Sequence, residues 1–225
     1  MAHSKIFSVE GNIGSGKSTL VQYMKEHEEN FKRVLPQASD KEFIFIREPV
    51  DSWSDIKDKN GETILSKFYA NSKKYAFSFQ IMAYISRLAL LRENVRNNPG
   101  KIIVTERCVN TDKNVFAQML YDDGNIEEVD YQIYLRWFDE FIEDFPISGY
   151  IYVNTPPELC AERIKIRNRE GEVIPLEYLQ RCHKYHEEWL NQVNKNIYLV
   201  DGKQKITSSQ YDLCVMDMFH FISTN

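Results

Sequence analysis

Eight consecutive residues near the amino terminus, Gly11-Asn12-Ile13-Gly14-Ser15-Gly16-Lys17-Ser18, carry the spacing GxxxxGK[ST]. Glycines at this spacing let the backbone wrap its N–H groups around a phosphate, and a following helix N-terminus adds positive potential. Lys17 is placed to reach the β- and γ-phosphates of a nucleoside triphosphate, and the Ser18 hydroxyl to ligate Mg²⁺. Lys17 is expected to find its partners only in the ligand. The bland alternative is a chance glycine-rich turn. Against it, the apolar run Ile6-Phe7-Ser8-Val9 precedes the loop and an amphipathic stretch follows it, the setting that phosphate binding requires.

Other residues narrow the chemistry. A regulatory GTPase needs a DxxG switch after a strand and an NKxD motif. Asp58-Lys59-Asn60-Gly61 has the first set of letters without a strand before it and reads as a turn, and NKxD does not occur. Motor and transporter ATPases carry an aspartate after an apolar strand, whereas Ile102-Ile103-Val104-Thr105 runs into Glu106-Arg107. A carboxylate and a guanidinium at a strand's C-terminal end face the ligand edge of such a sheet. Glu48, in Arg47-Glu48-Pro49-Val50, is read as closing a central strand, where it could accept the proton of an attacking hydroxyl; the alternative is a surface carboxylate before a turn-forming proline. Gln80, amid Phe77, Phe79, Ile81 and Met82, must find buried partners, and a nucleobase edge offers a donor and an acceptor. Phe68, Tyr69, Tyr75, Phe77 and Phe79 taken singly read as core. Arg163, Lys165, Arg167 and Arg169 cluster at the end of a helical pattern. Arg163 and Arg167, one turn apart, could share a triphosphate, or the cluster could be a solvated basic face at a helix C-terminus. His183 and His186 lack a third metal ligand and are expected on a partly exposed helix face.

The elements that must position these groups alternate. Short apolar runs at 6–9, 43–46, 102–105, 150–153 and 197–200 suit strands buried on both faces. Amphipathic stretches at 17–30, 75–98, 131–144, 157–169 and 176–194 separate them. This predicts an α/β fold with a doubly wound, five-stranded parallel sheet in one domain over 1–225. Two polar stretches leave the sheet, 51–61 and a flap at 170–175 containing Gly171. A net charge of −5 argues against nucleic-acid or anionic-membrane binding through charge, and no apolar run approaches a membrane span. Met1-Ala2-His3-Ser4-Lys5 leaves no room for a leader, and Cys108, Cys160, Cys182 and Cys214 are too far apart for a CxxC cluster. A cytoplasmic protein with ordinary thiols is expected.

Taken together, Glu10 to Ser18, Glu48-Pro49-Val50 with Trp53, Phe77-Ser78-Phe79-Gln80, Glu106-Arg107 and Ile174-Pro175-Leu176-Glu177-Tyr178-Leu179 resemble the deoxynucleoside kinases. The deoxycytidine and deoxyguanosine kinases are the most similar group, over residues 5 to about 200, with the last 25 residues weakly matched. Thymidylate kinases share Arg-Glu-Pro, but they continue with glycines and end the later strand in Asp-Arg. The resemblance implies a P-loop kinase fold with a helical lid at about 163–175. It implies ATP-dependent phosphorylation of a deoxynucleoside 5′-hydroxyl for nucleotide salvage, with Mg²⁺ as cofactor. It implies Glu48 as general base, Arg107 on the 5′ oxygen and phosphoryl group, Glu106 beside Mg²⁺, and Thr19 with the ATP-binding loop. Gln80 resembles the residue that reads the base, sandwiched by Trp53 and Phe116, with Leu65 and Phe79 in the same pocket and Tyr69 at the sugar 3′-hydroxyl. Arg163, Arg167 and Arg169 match the lid arginines; Glu172, or Glu170 in a lid one residue shorter, matches the lid glutamate. A homodimer through the long helices at 75–98 and 131–144 is also implied. Ala83 and Arg87 lie three and seven residues after Gln80, and Asp112 follows Glu106-Arg107. An Arg87–Asp112 pair lining the pocket would occupy the space of a thymine methyl and favour deoxyguanosine, deoxyadenosine or deoxycytidine; a pair that only packs would not. ATP or another triphosphate such as UTP remains open as the donor. A nucleoside monophosphate kinase and a non-catalytic nucleotide sensor are the alternatives.

Overall fold

The computed structural model describes residues 4–169, 172–204 and 209–225. Residues 1–3, on which the expectation of no leader rests, and the part of the flap at Glu170 and Gly171 lie outside the described residues. The continuous apolar runs form strands β1 (Lys5–Glu10), β2 (Phe43–Ile46), β3 (Ile102–Glu106), β4 (Gly149–Asn154) and β5 (Asn196–Asp201). All pair in parallel, in the order β2-β3-β1-β4-β5. The helices are α1 (Lys17–Val34), α2 (Val50–Trp53), α3 (Ile64–Ala70), α4 (Ser72–Asn97), α5 (Val109–Thr111), α6 (Gln118–Asp122), α7 (Glu128–Phe141), α8 (Pro157–Arg167), α9 (Leu176–Leu190) and α10 (Ser209–Thr224). A π-helical turn, Asp112–Ala117, joins α5 to α6.

The alternation of side chains along each strand divides the sheet into two buried faces. Phe7, Val9, Val104, Ile151 and Val153 face a core closed by Leu20, Met24 and Phe31 of α1 and by Val215, Met218 and Phe219 of α10. Ile6, Ile103, Tyr150 and Tyr152 face a second core closed by Leu91 of α4 and by Cys182, Trp189 and Leu190 of α9. Helix α7 packs outside α4 through Tyr134 and Phe138 against Tyr84. This is the doubly wound α/β sheet that the periodicity predicts.

Several expectations are corrected. Strand β2, expected to be central, is an edge strand that pairs only with β3, so Glu48 follows the rim of the sheet. Helix α4 starts at Ser72, not 75, because Asn71 Oδ1 accepts the Lys74 N–H at 3.2 Å. Helix α7 runs from Glu128 to Phe141 instead of 131–144, and α9 stops at Leu190 instead of 194. Helix α8 stops at Arg167 instead of 169, because Asn168 adopts a left-handed φ of 48°. Helix α10 was not anticipated. Leu213 is exposed on it while Cys214, Met216 and Phe221 are partly buried, so it has no clean polar face to give a helical period. His186, expected near the surface, is fully buried; its Nδ1 lies 2.6 Å from the Cys182 carbonyl and its ring is parallel to Tyr152. Asp58 to Gly61 is the expected turn, with the Gly61 N–H donating to the Asp58 carbonyl at 3.0 Å. All four cysteines are free. Among the described residues no helix is long and apolar enough to cross a membrane.

Phe219 is fully buried and packs on Phe31, Phe43 and Phe45. Phe219→Ala should therefore cost about 3–5 kcal/mol in chemical denaturation. A loss below about 1 kcal/mol would show that α10 is not part of the cooperative core.

Candidate active site

The segments that follow the strands line one cavity of about 880 Å³. Ligands in open α/β sheets bind beyond the carboxyl ends of the strands. Residues Ile13 to Thr19 line one part of the cavity. The loop has its shape because Gly11 and Gly14 take φ of 143° and 78°, and a Cβ on either would come within 2.6 Å of the carbonyls of Val153 and Cys160 respectively. Gly11 and Asn12 sit behind the lining. The Gly11 carbonyl accepts Arg107 Nη2 at 3.1 Å, and Asn12 Nδ2 donates to the Leu179 carbonyl at 2.8 Å, tethering the loop to α9.

Lys17 does not wait for a ligand, contrary to expectation. Its Nζ donates to the Asn12 carbonyl at 2.7 Å and to Ser15 Oγ at 3.4 Å, and the side chain is buried. Burial, then the Arg107 guanidinium, lower its pKa to about 7, against the pull of Glu106, Glu48 and Glu10. Ser18 Oγ donates to Glu106 Oε1 at 2.6 Å. These two residues are hard oxygen ligands beside a phosphate cradle, which suits Mg²⁺, an ion that takes one or two protein oxygens and completes its shell with water and phosphate. Among the described residues no group of three or more His, Cys, Asp or Glu forms a cage that would hold a metal without a phosphate.

From the loop, a chain of alternating charges crosses the cavity. Arg107 Nη1 reaches both Glu48 oxygens at 3.1 and 3.0 Å. Glu48 Oε1 accepts Arg87 Nη2 at 2.9 Å, and Arg87 binds Asp112 through Nε and Nη2 at 2.8 and 3.2 Å. Burial disfavours the Glu48 charge, but Arg107, then Arg87, then Lys17 outweigh it and hold the carboxyl far below the usual carboxylate range. Burial also disfavours the Arg87 charge, and Asp112 followed by Glu48 more than restores it. The Arg87–Asp112 pair is thus both a buried ion pair and part of the cavity lining.

Beyond this chain lies an aromatic compartment. Trp53, Leu65, Tyr69, Phe79, Gln80, Ala83 and Phe116 all line it. Trp53 meets Phe79 edge-on, and Phe79 stacks on Phe68. Gln80, Ala83 and Arg87 form one face of α4, as their spacing predicts, while the π-helical turn turns Asp112 and Phe116 toward the same space. Gln80 Oε1 and Arg107 Nε, one an acceptor and one a donor, are buried without a hydrogen-bond partner among the described residues. Such atoms are costly unless a ligand satisfies them.

Arg163, Arg167 and Arg169 all line the cavity, with different partners. Arg163 donates to the carbonyls of Ser15 at 2.9 Å and Gly202 at 2.8 Å, bracing the loop, while Arg167 pairs with Glu172 at 2.6 Å and Arg169 lies 3.9 Å from the same carboxylate. Glu172 lines the cavity; Glu170 lies outside the described residues. Sequence reasoning missed the residues after β5, Asp201 to Gln204, with Tyr211, which line the cavity near Arg163, and it missed Tyr178. Gly202 directly after an apolar strand was the signal available for the first of these.

Known proteins are similar to this chain over most of its length. A family model described as deoxynucleoside kinase matches residues 7–219, which extends the resemblance past 200 and into α10. The probable deoxycytidine kinase of fowlpox virus (strain NVSL) is 32% identical over 98% of this chain and 89% of its own. Human deoxycytidine kinase is 33% identical over 83% of this chain and 75% of its own, and human mitochondrial thymidine kinase 2 is 33% identical over 82% and 64%.

Lys17 provides a test that needs no substrate. Its folded pKa lies below the unfolded value of 10.5, so its charge opposes folding in full below about pH 7, and the penalty declines as pH rises toward 10.5. Lys17→Met should melt at or above the parent temperature at pH 6, with the difference shrinking by pH 10. A variant less stable than the parent at pH 6 would show that the hydrogen bonds of Lys17 outweigh its burial.

Proposed function

Because the chain belongs to the deoxynucleoside kinase family, we propose that it transfers the γ-phosphoryl group of ATP to the 5′-hydroxyl of a deoxynucleoside, giving the 5′-monophosphate for nucleotide salvage. The observation that carries the reading is that one cavity joins the phosphate loop to Gln80, with Glu48 and Arg107 between them. A triphosphate in the loop and a base at Gln80 would bring a 5′-hydroxyl to Glu48.

In this reading Glu48 takes the proton of the attacking hydroxyl. Its strongly lowered pKa keeps it ionised, so it is always able to accept. It also makes it a weak base, which is adequate when the transition state is loose and the proton leaves late. Arg107 shifts from a pure partner of Glu48 to a shared one, holding the 5′ oxygen and the transferring group. Lys17 and the lid arginines Arg163, Arg167 and Arg169 offset charge on the phosphates. Ser18 and Glu106 would hold Mg²⁺, which neutralises phosphate oxygens. Gln80 pairs with the base edge, Trp53 and Phe116 sandwich it, and Tyr69 and Glu172 meet the sugar. The Arg87–Asp112 pair takes the space of a thymine methyl and offers a carboxylate to an exocyclic amine. Deoxycytidine, deoxyguanosine or deoxyadenosine is then favoured over thymidine.

The whole chain acts as one unit, and as a homodimer in the cytoplasm. Ile85 of α4 and Val129, Ile133 and Trp137 of α7 are exposed apolar side chains on the two helices concerned, and four free thiols suit a reducing compartment.

ATP consumption with a panel of deoxynucleosides and monophosphates tests the reading: turnover with deoxynucleosides is expected, and turnover with monophosphates alone would replace it by a monophosphate kinase. Glu48→Gln should lower turnover by about 10²-fold or more with little change in nucleoside affinity; near-parental turnover would remove Glu48 from the mechanism. Arg87→Met with Asp112→Ala should raise thymidine use relative to the other three deoxynucleosides. It should also lower kcat for all four, because Arg87 supports Glu48. Efficient thymidine use by the parent would overturn the base assignment.

A further inference from the structure

We infer that Glu10 is a positioning residue for phosphoryl transfer, acting through the backbone of Arg107. The inference rests on the role given to Arg107 above. Arg107 is a non-glycine residue with φ of +61°, at the junction of β3 and α5. This left-handed conformation is unfavourable for a side chain with a Cβ and persists only where neighbours fix it. Its N–H donates to the Val9 carbonyl at 3.0 Å, and its carbonyl accepts Thr105 Oγ1 at 3.0 Å. Both bonds lie on the strand side of the bend. The helix side is held by Glu10.

Glu10 is fully buried. Its Oε1 accepts the backbone N–H of Cys108 at 3.2 Å, Cys108 Sγ at 3.3 Å and Ser8 Oγ at 2.5 Å; its Oε2 accepts Thr111 Oγ1 at 2.6 Å. Cys108 begins the helical run and has no side-chain cap of its own, so a carboxylate from β1 serves as the cap from outside. The residue after Glu10 is Gly11, whose carbonyl receives the Arg107 guanidinium. Glu10 thus holds the residue that follows Arg107, and Gly11 holds its guanidinium. None of the ion pairs among the described residues includes Glu10; the contacts of its carboxyl are hydrogen bonds from Ser8, Cys108 and Thr111. Packing alone would be served by an apolar side chain. A carboxylate is needed here to collect an N–H and a hydroxyl from the turn that aims Arg107.

The test is steady-state kinetics and thermal unfolding of Glu10→Gln, alone and with Arg107→Ala. The amide keeps the volume but faces the Thr111 hydroxyl with an NH₂ group and removes the charge. Glu10→Gln should lower kcat by about 10- to 100-fold while KM for nucleoside and ATP stays within about threefold. In the Arg107→Ala background it should cause no further loss, because the two act as a unit. Parental kcat in Glu10→Gln, or a loss that multiplies in full on top of Arg107→Ala, would make Glu10 merely structural. Should Glu10→Gln fail to fold, Thr111 decides: a fall in kcat in Thr111→Val with rescue in Thr111→Ser supports the inference, and parental kcat in both overturns it. A parent inactive on every deoxynucleoside would instead fail the functional reading, before any variant is made.

Discussion

The structure depends on one carboxylate, Glu48, held between the guanidinium groups of Arg107 and Arg87. A buried charge with a missing partner destabilises a fold by about 3–5 kcal/mol, so the elements that carry these partners are constrained together. Arg87 comes from the middle of α4, Arg107 from the end of β3, Asp112 from the π-helical turn and Glu48 from the segment after β2. The last link, Arg107 to the Gly11 carbonyl, fastens the set to the phosphate loop. Four separate stretches of chain therefore meet at one point for electrostatic reasons, and the cavity exists because they do. Arg87 contacts both Asp112 and Glu48, so under the proposed reading selectivity and rate would not be independent properties of this site.

The phosphate loop has a second set of restraints. Thr155 Oγ1 and Arg163 Nη1 both donate to the Ser15 carbonyl, at 3.0 and 2.9 Å. Arg163 carries the restraint on to Gly202, where a Cβ would lie 1.8 Å from Thr155 Oγ1. The loop is thereby shaped by β4, α8 and the segment after β5 as well as by its own glycines. Lys17 is buried inside this frame, where desolvation lowers its pKa and the Asn12 carbonyl and Ser15 Oγ accept from its Nζ.

Much of this was legible before any coordinates. The five strands appear as continuous apolar runs because both faces of each are buried, and the phosphate loop follows from its spacing. Gln80 stands out as an amide among aromatics, and its Oε1 is buried with no hydrogen-bond partner among the described residues. What could not be read was long-range. Strand order does not follow from strand sequence, so Glu48 was placed at the end of a central strand when β2 is an edge. The basic residues of α8 read as a shared phosphate clamp, but whether an arginine faces solvent, a carboxylate or a backbone carbonyl depends on what packs beside it. His186 is expected on a partly exposed face, but its side of α9, shared with Cys182, Trp189 and Leu190, turns into the core. The π-helical turn has no period that distinguishes it from α-helix, yet it sets the direction of Asp112 and Phe116.

The three tryptophans occupy three unlike settings, which gives the molecule optical properties of its own. Trp53 is walled in by Phe79 and donates its indole N–H to Ser86 Oγ at 2.8 Å, at the edge of the aromatic compartment. Trp189 is buried on the opposite side of the sheet's second core, edge-on to Tyr150. Trp137 is half exposed on α7 beside Phe141. Emission from a hydrated indole lies to the red of emission from a buried one, so the spectrum separates Trp137 from the other two. Under the proposed reading, a base stacked on Trp53 would quench that indole, and a partner over α7 would shift the emission of Trp137. A ligand would then appear as a loss of buried-indole intensity and a neighbour as a shift of the exposed-indole emission.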